Sequence, residues 1–124
     1  MSTRLWLWSA LLAAGLAQAQ GNERVIDVVV VAGRIQVPEN EARVQRSHGS
    51  IRWRLTTPGH IFPANGIVIQ AAGNAFQNCK PMHQGASFQC IRRGHVDGAR
   101  YKYDVNVSQG SQALPTLDPI IQND

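Results

Sequence analysis

The sequence predicts an all-β protein, an antiparallel β-sandwich or small barrel of about seven short strands. Three observations predict it. Beyond residue 19 the chain holds 20 Val and Ile but only three Leu, at positions 55, 114 and 117; β-branched side chains suit strands, whereas Leu favours helices. Apolar and polar residues alternate with a period of two in several runs. Gly, Pro and Asn punctuate the chain between those runs. With 124 residues in all, there is room for one domain, and a helical bundle or a large α/β enzyme is excluded.

Each element follows from its residues. Arg24 to Val31 is a β-branched strand, broken at Gly33 and resumed from Arg34 to Val37. Pro38-Glu39-Asn40 reads as a turn. Glu41 to Arg46 is a polar strand with Ala42 and Val44 on one face. After the His48-Gly49-Ser50 turn, Ile51, Trp53 and Leu55 point one way and Arg52 and Arg54 the other, a half-buried strand with Trp53 in the core. Thr56 to Pro63 is a loop, and Asn65-Gly66 is a tight-turn dipeptide before the strand Ile67 to Gln70. Ala71 to Asn78 reads as a loop or short helix. Ala86 to Ile91 and Arg100 to Val107 alternate again, and Ser108 to Asp124, holding Pro115 and Pro119, reads as an irregular tail over the surface.

The N-terminus predicts export. Arg4 supplies positive charge, residues 5–16 form a 12-residue apolar run, and Ala17-Gln18-Ala19 has small residues at cleavage spacing. The run is shorter than the roughly 20 residues of a membrane span, and no Cys follows it to carry a lipid anchor. The expected division is therefore a signal peptide over residues 1–19 and one domain over 20–124. The product is periplasmic or secreted, with no integral membrane segment after cleavage. In an oxidising compartment Cys79 and Cys90, the chain's two cysteines, are most simply a disulfide. Closing that loop is worth about 3 kcal/mol in the chain-entropy model.

The formal charge of +4 is mild. Arg43, Arg46, Arg52, Arg54, Arg92 and Arg93 predict basic positions on strand faces, which suit solvated stems or an anionic ligand such as a lipid headgroup or acidic polysaccharide. Compartment, modest charge and scarce aromatics argue against nucleic acid. His48 and His95 have no partner in the sequence pattern. There is no G-x-S-x-G or H-E-x-x-H motif, and the acidic residues are scattered, so no carboxylate pair and no catalytic residue are expected. Asn106-Val107-Ser108 matches a glycosylation sequon.

Residues 34–62, IQVPENEARVQRSHGSIRWRLTTPGHIF after Arg34, resemble the first half of a cupredoxin, a small exported Greek-key sandwich that often holds one copper ion. Gly49-Ser50 takes the turn, Trp53 the aromatic position and His60 the first-ligand position. The resemblance implies a cupredoxin-like sandwich; the alternative strand order is immunoglobulin-like. A copper site of this kind needs Cys, His and usually Met in one loop between the last two strands, because a thiolate, two imidazoles and a weak thioether make the constrained site that copper uses. Cys79-Lys80-Pro81-Met82-His83 has the three ligand types in a different order, and Cys90 to His95 lacks the Met. The expectation is a metal-free, non-catalytic module binding a protein or anionic ligand, with His60, Phe62 and Asn65 as a candidate binding loop. The alternative is a copper protein using His60, Met82 and His83.

Overall fold

The structure, a computed structural model, describes residues 22–124; the signal segment expected at 1–19 lies outside the described residues. Its strands are β1 (Glu23–Val31), β2 (Arg34–Gln36), β3 (Glu41–Val44), β4 (Ser50–Leu55), β5 (Ile67–Ile69), β6 (Phe76–Met82), β7 (Ser87–Arg92), β8 (Arg100–Val105), β9 (Ser108–Gln109), β10 (Gln112–Ala113) and β11 (Ile120–Asn123). The only helical element among the described residues is a single 3-10 turn at His83–Gly85. The all-β expectation therefore holds.

Two sheets share one core. The first has the order β2-β1-β4-β7-β6 and the second β3-β11-β8-β5, with β9 and β10 as a separate hairpin. Inward positions alternate as the sequence predicts: Ile26 and Val28 from β1, Ala42 and Val44 from β3, Ile51 and Trp53 from β4, and Tyr103 and Val105 from β8 are all fully buried. Trp53 packs against Tyr103 across the core, ring centroids 5.3 Å apart at a 57° tilt. Phe62 and Phe88 meet edge-to-face at 6.0 Å.

Three expectations need correction. The sheets are mixed, not purely antiparallel: β1 runs parallel to β4 and β3 parallel to β11. Pro38, with no N–H to extend a ladder, lies between β2 in one sheet and β3 in the other. The turn at His48-Gly49 then returns the chain so that β4 enters beside β1 in the same direction. Second, 108–124 is not an irregular tail. It contains the β9–β10 hairpin and β11, whose Ile121 is fully buried between β3 and β8. Its prolines sit between strands, where they cost no ladder bonds. Third, Ala71 to Asn78 holds no helix, and its last three residues begin β6.

Asn65-Gly66 also works differently from a hairpin dipeptide. Gly66 donates to the Pro63 carbonyl at 2.9 Å, and its φ is not positive. Glycine is required there by space: a Cβ would lie 2.9 Å from Phe62 Cβ and 3.0 Å from Phe88 Cδ2.

The Tyr103 hydroxyl and Trp53 indole N–H are buried without a well-formed hydrogen bond. Burial pushes the Tyr103 phenol up to about 12. Removing a hydroxyl that makes no well-formed hydrogen bond, while keeping the ring, should be neutral or stabilise by up to about 1 kcal/mol. Denaturant unfolding of Tyr103→Phe checks this; a loss near 2 kcal/mol would mean that the hydroxyl is satisfied.

Candidate functional site

Three connections meet at one end of the sandwich. Phe62 N–H donates to the Gly85 carbonyl at 2.8 Å, and Ile61 exchanges two backbone hydrogen bonds with Ser108 at 3.0 and 2.9 Å. Gly85 has φ +88, and a Cβ on it would approach Ile61 Cβ to 2.9 Å, so this junction requires glycine on both counts. The β4–β5 loop, the β6–β7 turn and the start of the β8–β11 connection are thereby fastened together.

Of the expected site residues, His60, Met82 and His83 lie on these loops. His60 Nδ1–H donates to the Pro58 carbonyl at 2.9 Å, and His83 Nδ1 shares a hydrogen bond with the Ser87 hydroxyl at 2.7 Å. Met82 ends β6. Among the described residues no three His, Cys, Asp or Glu side chains gather as a metal site would require. Cys79 and Cys90 form the expected disulfide, linking β6 to β7 across a bulge between Gln77 and Lys80. Both sulfurs are bonded, so neither is a thiolate ligand. Cys90 is fully buried, while Cys79 lies on the exposed side.

Of the candidate binding loop, Phe62 is core, not surface, at 2 % exposure. Asn65 belongs to the wall of an open cleft of about 580 Å³ where β5 and β6, the edge strands of the two sheets, face each other. Ile67, Val68, Phe76, Cys79 and Phe88 also line it, with the short side chains of Ala71 and Ala72 at its rim. The lining is largely apolar, and the size falls in the ~300–1,000 Å³ range of ligand clefts.

The two bordering edges are not equivalent. On β6 the bulge and Pro81 interrupt the ladder, a common protection of free edges. On β5, Gly66 and Gln70 bond towards β8 through Asn106 N–H to Gly66 O at 2.7 Å and Gln70 N–H to Lys102 O at 2.9 Å. By alternation the backbone groups of Ile67 and Ile69 face outward, and no strand among the described residues covers them.

The arginines do not form one basic face. Arg52 and Arg54 pair with Glu23 and Asp27 at 3.1 and 2.8 Å. Arg43, Arg46 and Arg100 pair with Asp124, Asp97 and Glu41, and Arg24 with Glu39. Six of the eight acids thus pair with arginines, from strands and from loops alike, and leave no continuous basic surface. The other two acids make the carboxylate pair that scattered sequence positions concealed. Asp104 on β8 and Asp118, before β11, share a hydrogen bond that raises the Asp104 pKa. Arg92 and the two unassigned histidines also come together: Arg92 Nη2 donates to His95 Nδ1 at 2.6 Å, and Arg92 Nη1 to the His48 carbonyl at 2.6 Å. An inward arginine on the Phe88-Cys90-Arg92 face was the available signal.

No protein-family model matches the chain, and no curated protein is significantly similar to it. Among the described residues no helix is long and apolar enough to cross a membrane.

Two outcomes follow from this geometry. Replacing both half-cystines with Ala should cost about 3 kcal/mol of unfolding free energy, measured by urea titration against the oxidised parent. Asp104 has a folded-state pKa above its unfolded one, so the folded state binds the shared proton more tightly. Its acid pair then costs stability above the carboxylate range, and that cost disappears as pH falls through it. Asp104→Asn should therefore raise the melting temperature slightly at neutral pH, less so in high salt because solvent and ions screen the exposed pair, and leave it unchanged at acid pH, as read from melting curves across pH.

Proposed function

We propose that this chain is a small exported, cupredoxin-like binding module that is non-catalytic and metal-free, and that it receives an extended peptide segment at the β5 edge. The observation that carries this reading is the apolar cleft beside the uncovered backbone of Ile67 and Ile69. An added strand would satisfy the outward N–H and C=O groups, and alternate apolar side chains would enter the cleft. Val68, which also lines the cleft, is 42 % exposed and extends the apolar surface of that edge.

The cupredoxin-like reading is supported over an immunoglobulin-like one by the parallel pairs β1·β4 and β3·β11, since an immunoglobulin sandwich packs two antiparallel sheets. The donor chemistry does not fit the thiolate copper site of a cupredoxin. The connection between β8 and β11, the last two long strands, contains no Cys, His or Met, and the two cysteines are bonded to each other. Export is supported by the residue pattern of positions 1–19 and by the disulfide.

An acetylated Thr-Val-Thr-Val-Thr peptide titrated into the ¹⁵N-labelled protein should shift the Ile67 and Ile69 amides most strongly. Ala72→Phe, which fills the cleft, should abolish the effect. Shifts confined to other strands would overturn the strand-addition reading. One equivalent of copper per chain, retained through gel filtration after Cu(II) is added, would overturn the metal-free reading.

A further inference from the structure

Among the described residues Arg92 is the only buried one that carries a charge, 9 % exposed. Its Nη1 donates to the carbonyls of Gln45 and His48 at 2.9 and 2.6 Å, and its Nη2 donates to His95 Nδ1 at 2.6 Å and reaches Asn123 Oδ1 at 3.4 Å. These are partial charges. None of the ion pairs among the described residues includes Arg92, and its Nε–H has no partner. Buried charges are ordinarily paired, because leaving water without a counter-charge is costly. A guanidinium held this way is a host for an anion.

The surroundings fit such a guest. Arg92 lines a pocket of about 160 Å³ with Arg46, His48, Gly49, Gly94 and His95, space for about five waters at ~30 Å³ each. The Gln45 N–H donates to His48 Nδ1 at 3.0 Å, which puts the imidazole proton on Nε2, a donor with no partner of its own among the described residues. His95 accepts from Arg92 at Nδ1, so its Nε2–H is spent on the Asp124 main-chain oxygen at 2.8 Å. Gly49 and Gly94 contribute no side chain to crowd the space.

We propose that this pocket binds a phosphate-sized tetrahedral oxyanion, held by Arg46 and the His48 Nε2–H over the uncompensated charge of Arg92. A tetrahedral group presents oxygens in several directions, which suits separate donors from Arg46 and His48 on the β3–β4 turn above the Arg92 charge. A carboxylate offers two oxygens in one plane. Asp97 is the resident competitor: it pairs with Arg46 at 2.7 Å and approaches His95 Nε2 at 3.2 Å, and it is 74 % exposed, so an incoming anion can displace it. The other charged or titratable groups facing the site are Arg24 from β1, Tyr101 from β8 and Asp124 after β11. His48 reports occupancy. Burial, then Arg24 and Arg92, lower its pKa, and Asp124 opposes them; a bound anion would push it back up.

The test is a titration of the protein with inorganic phosphate, following the Gly49, Gly94 and His95 amides and the His48 ring by NMR. Saturable shifts and a raised His48 pKa are expected. Arg46→Gln, at an exposed position, should weaken binding about tenfold, and Asp97→Asn should tighten it severalfold. Arg54→Gln, which removes a cation paired with Asp27 elsewhere, should change nothing. Vesicles of phosphatidylglycerol form the second arm. Sedimentation with them that Arg46→Gln abolishes assigns the phosphate to a lipid headgroup, and response to free phosphate alone assigns it to a soluble anion. No saturable response in either arm overturns the site, as does an equal loss in Arg46→Gln and Arg54→Gln, which would mean diffuse charge attraction.

Discussion

Trp53 projects from β4, the central strand of the first sheet, and meets Tyr103 from β8, an interior strand of the second, with centroids 5.3 Å apart. Two stacked sheets stand about 10 Å apart, and this ring pair fills most of that gap. Ile51 and Leu55 flank the indole on β4, and Val105 flanks the phenol on β8. The smaller aliphatic residues of β1, β3 and β11 close the remaining space. The spacing also determines how far apart the edges of β5 and β6 lie, and so whether a cleft exists between them. Both polar tips of the pair are left without good hydrogen bonds, which shows that packing area, not polarity, holds these rings in place.

Polar residues are arranged around that core by cross-strand register. β1 lies parallel to β4 with Glu23 opposite Ser50 and Asp27 opposite Arg54. This brings the Arg52 and Arg54 guanidinium groups to carboxylates on the neighbouring strand. Exposed pairs of this kind are each worth little. Their larger effect is to remove the broad electropositive surface that the arginine count suggests. Charge recognition is then left to the few cations outside the pairing scheme, of which Arg92 is the buried one.

Much of this was legible in the residues. Ile51-Arg52-Trp53-Arg54-Leu55 encodes its strand and its inward face directly, because a half-buried strand must alternate. The cysteine pair was legible from its even count and its spacing. What could not be read was anything that depends on which strands become neighbours. Glu41 to Val44 reads as an ordinary polar strand, and nothing local shows that it lies beside Ile120 to Asn123. The same blindness hid the meeting of Asp104 with Asp118, and of Arg92 with His48 and His95. Phe62 was placed in a binding loop because its neighbours are Pro, Gly and Asn, yet Gly66 gives up its Cβ so that Phe62 can pack inward on Phe88. The short strands after Val107 were obscured by Pro115 and Pro119, which sit at their boundaries.

The position of β11 has a kinetic consequence. It lies between β3 and β8, and its parallel partner β3 precedes it by nearly the whole length of the domain. Contacts of such high sequence separation close large entropic loops before any pairing energy is returned, which slows folding. The β6–β7 and β1–β2 hairpins are local and can form early. The second sheet cannot close until β11 arrives, because β3 has no other strand in that sheet to pair with. Folding should therefore be rate-limited by docking of this late strand, and a chain cut short before Ile120 would keep one sheet assembled and the other open.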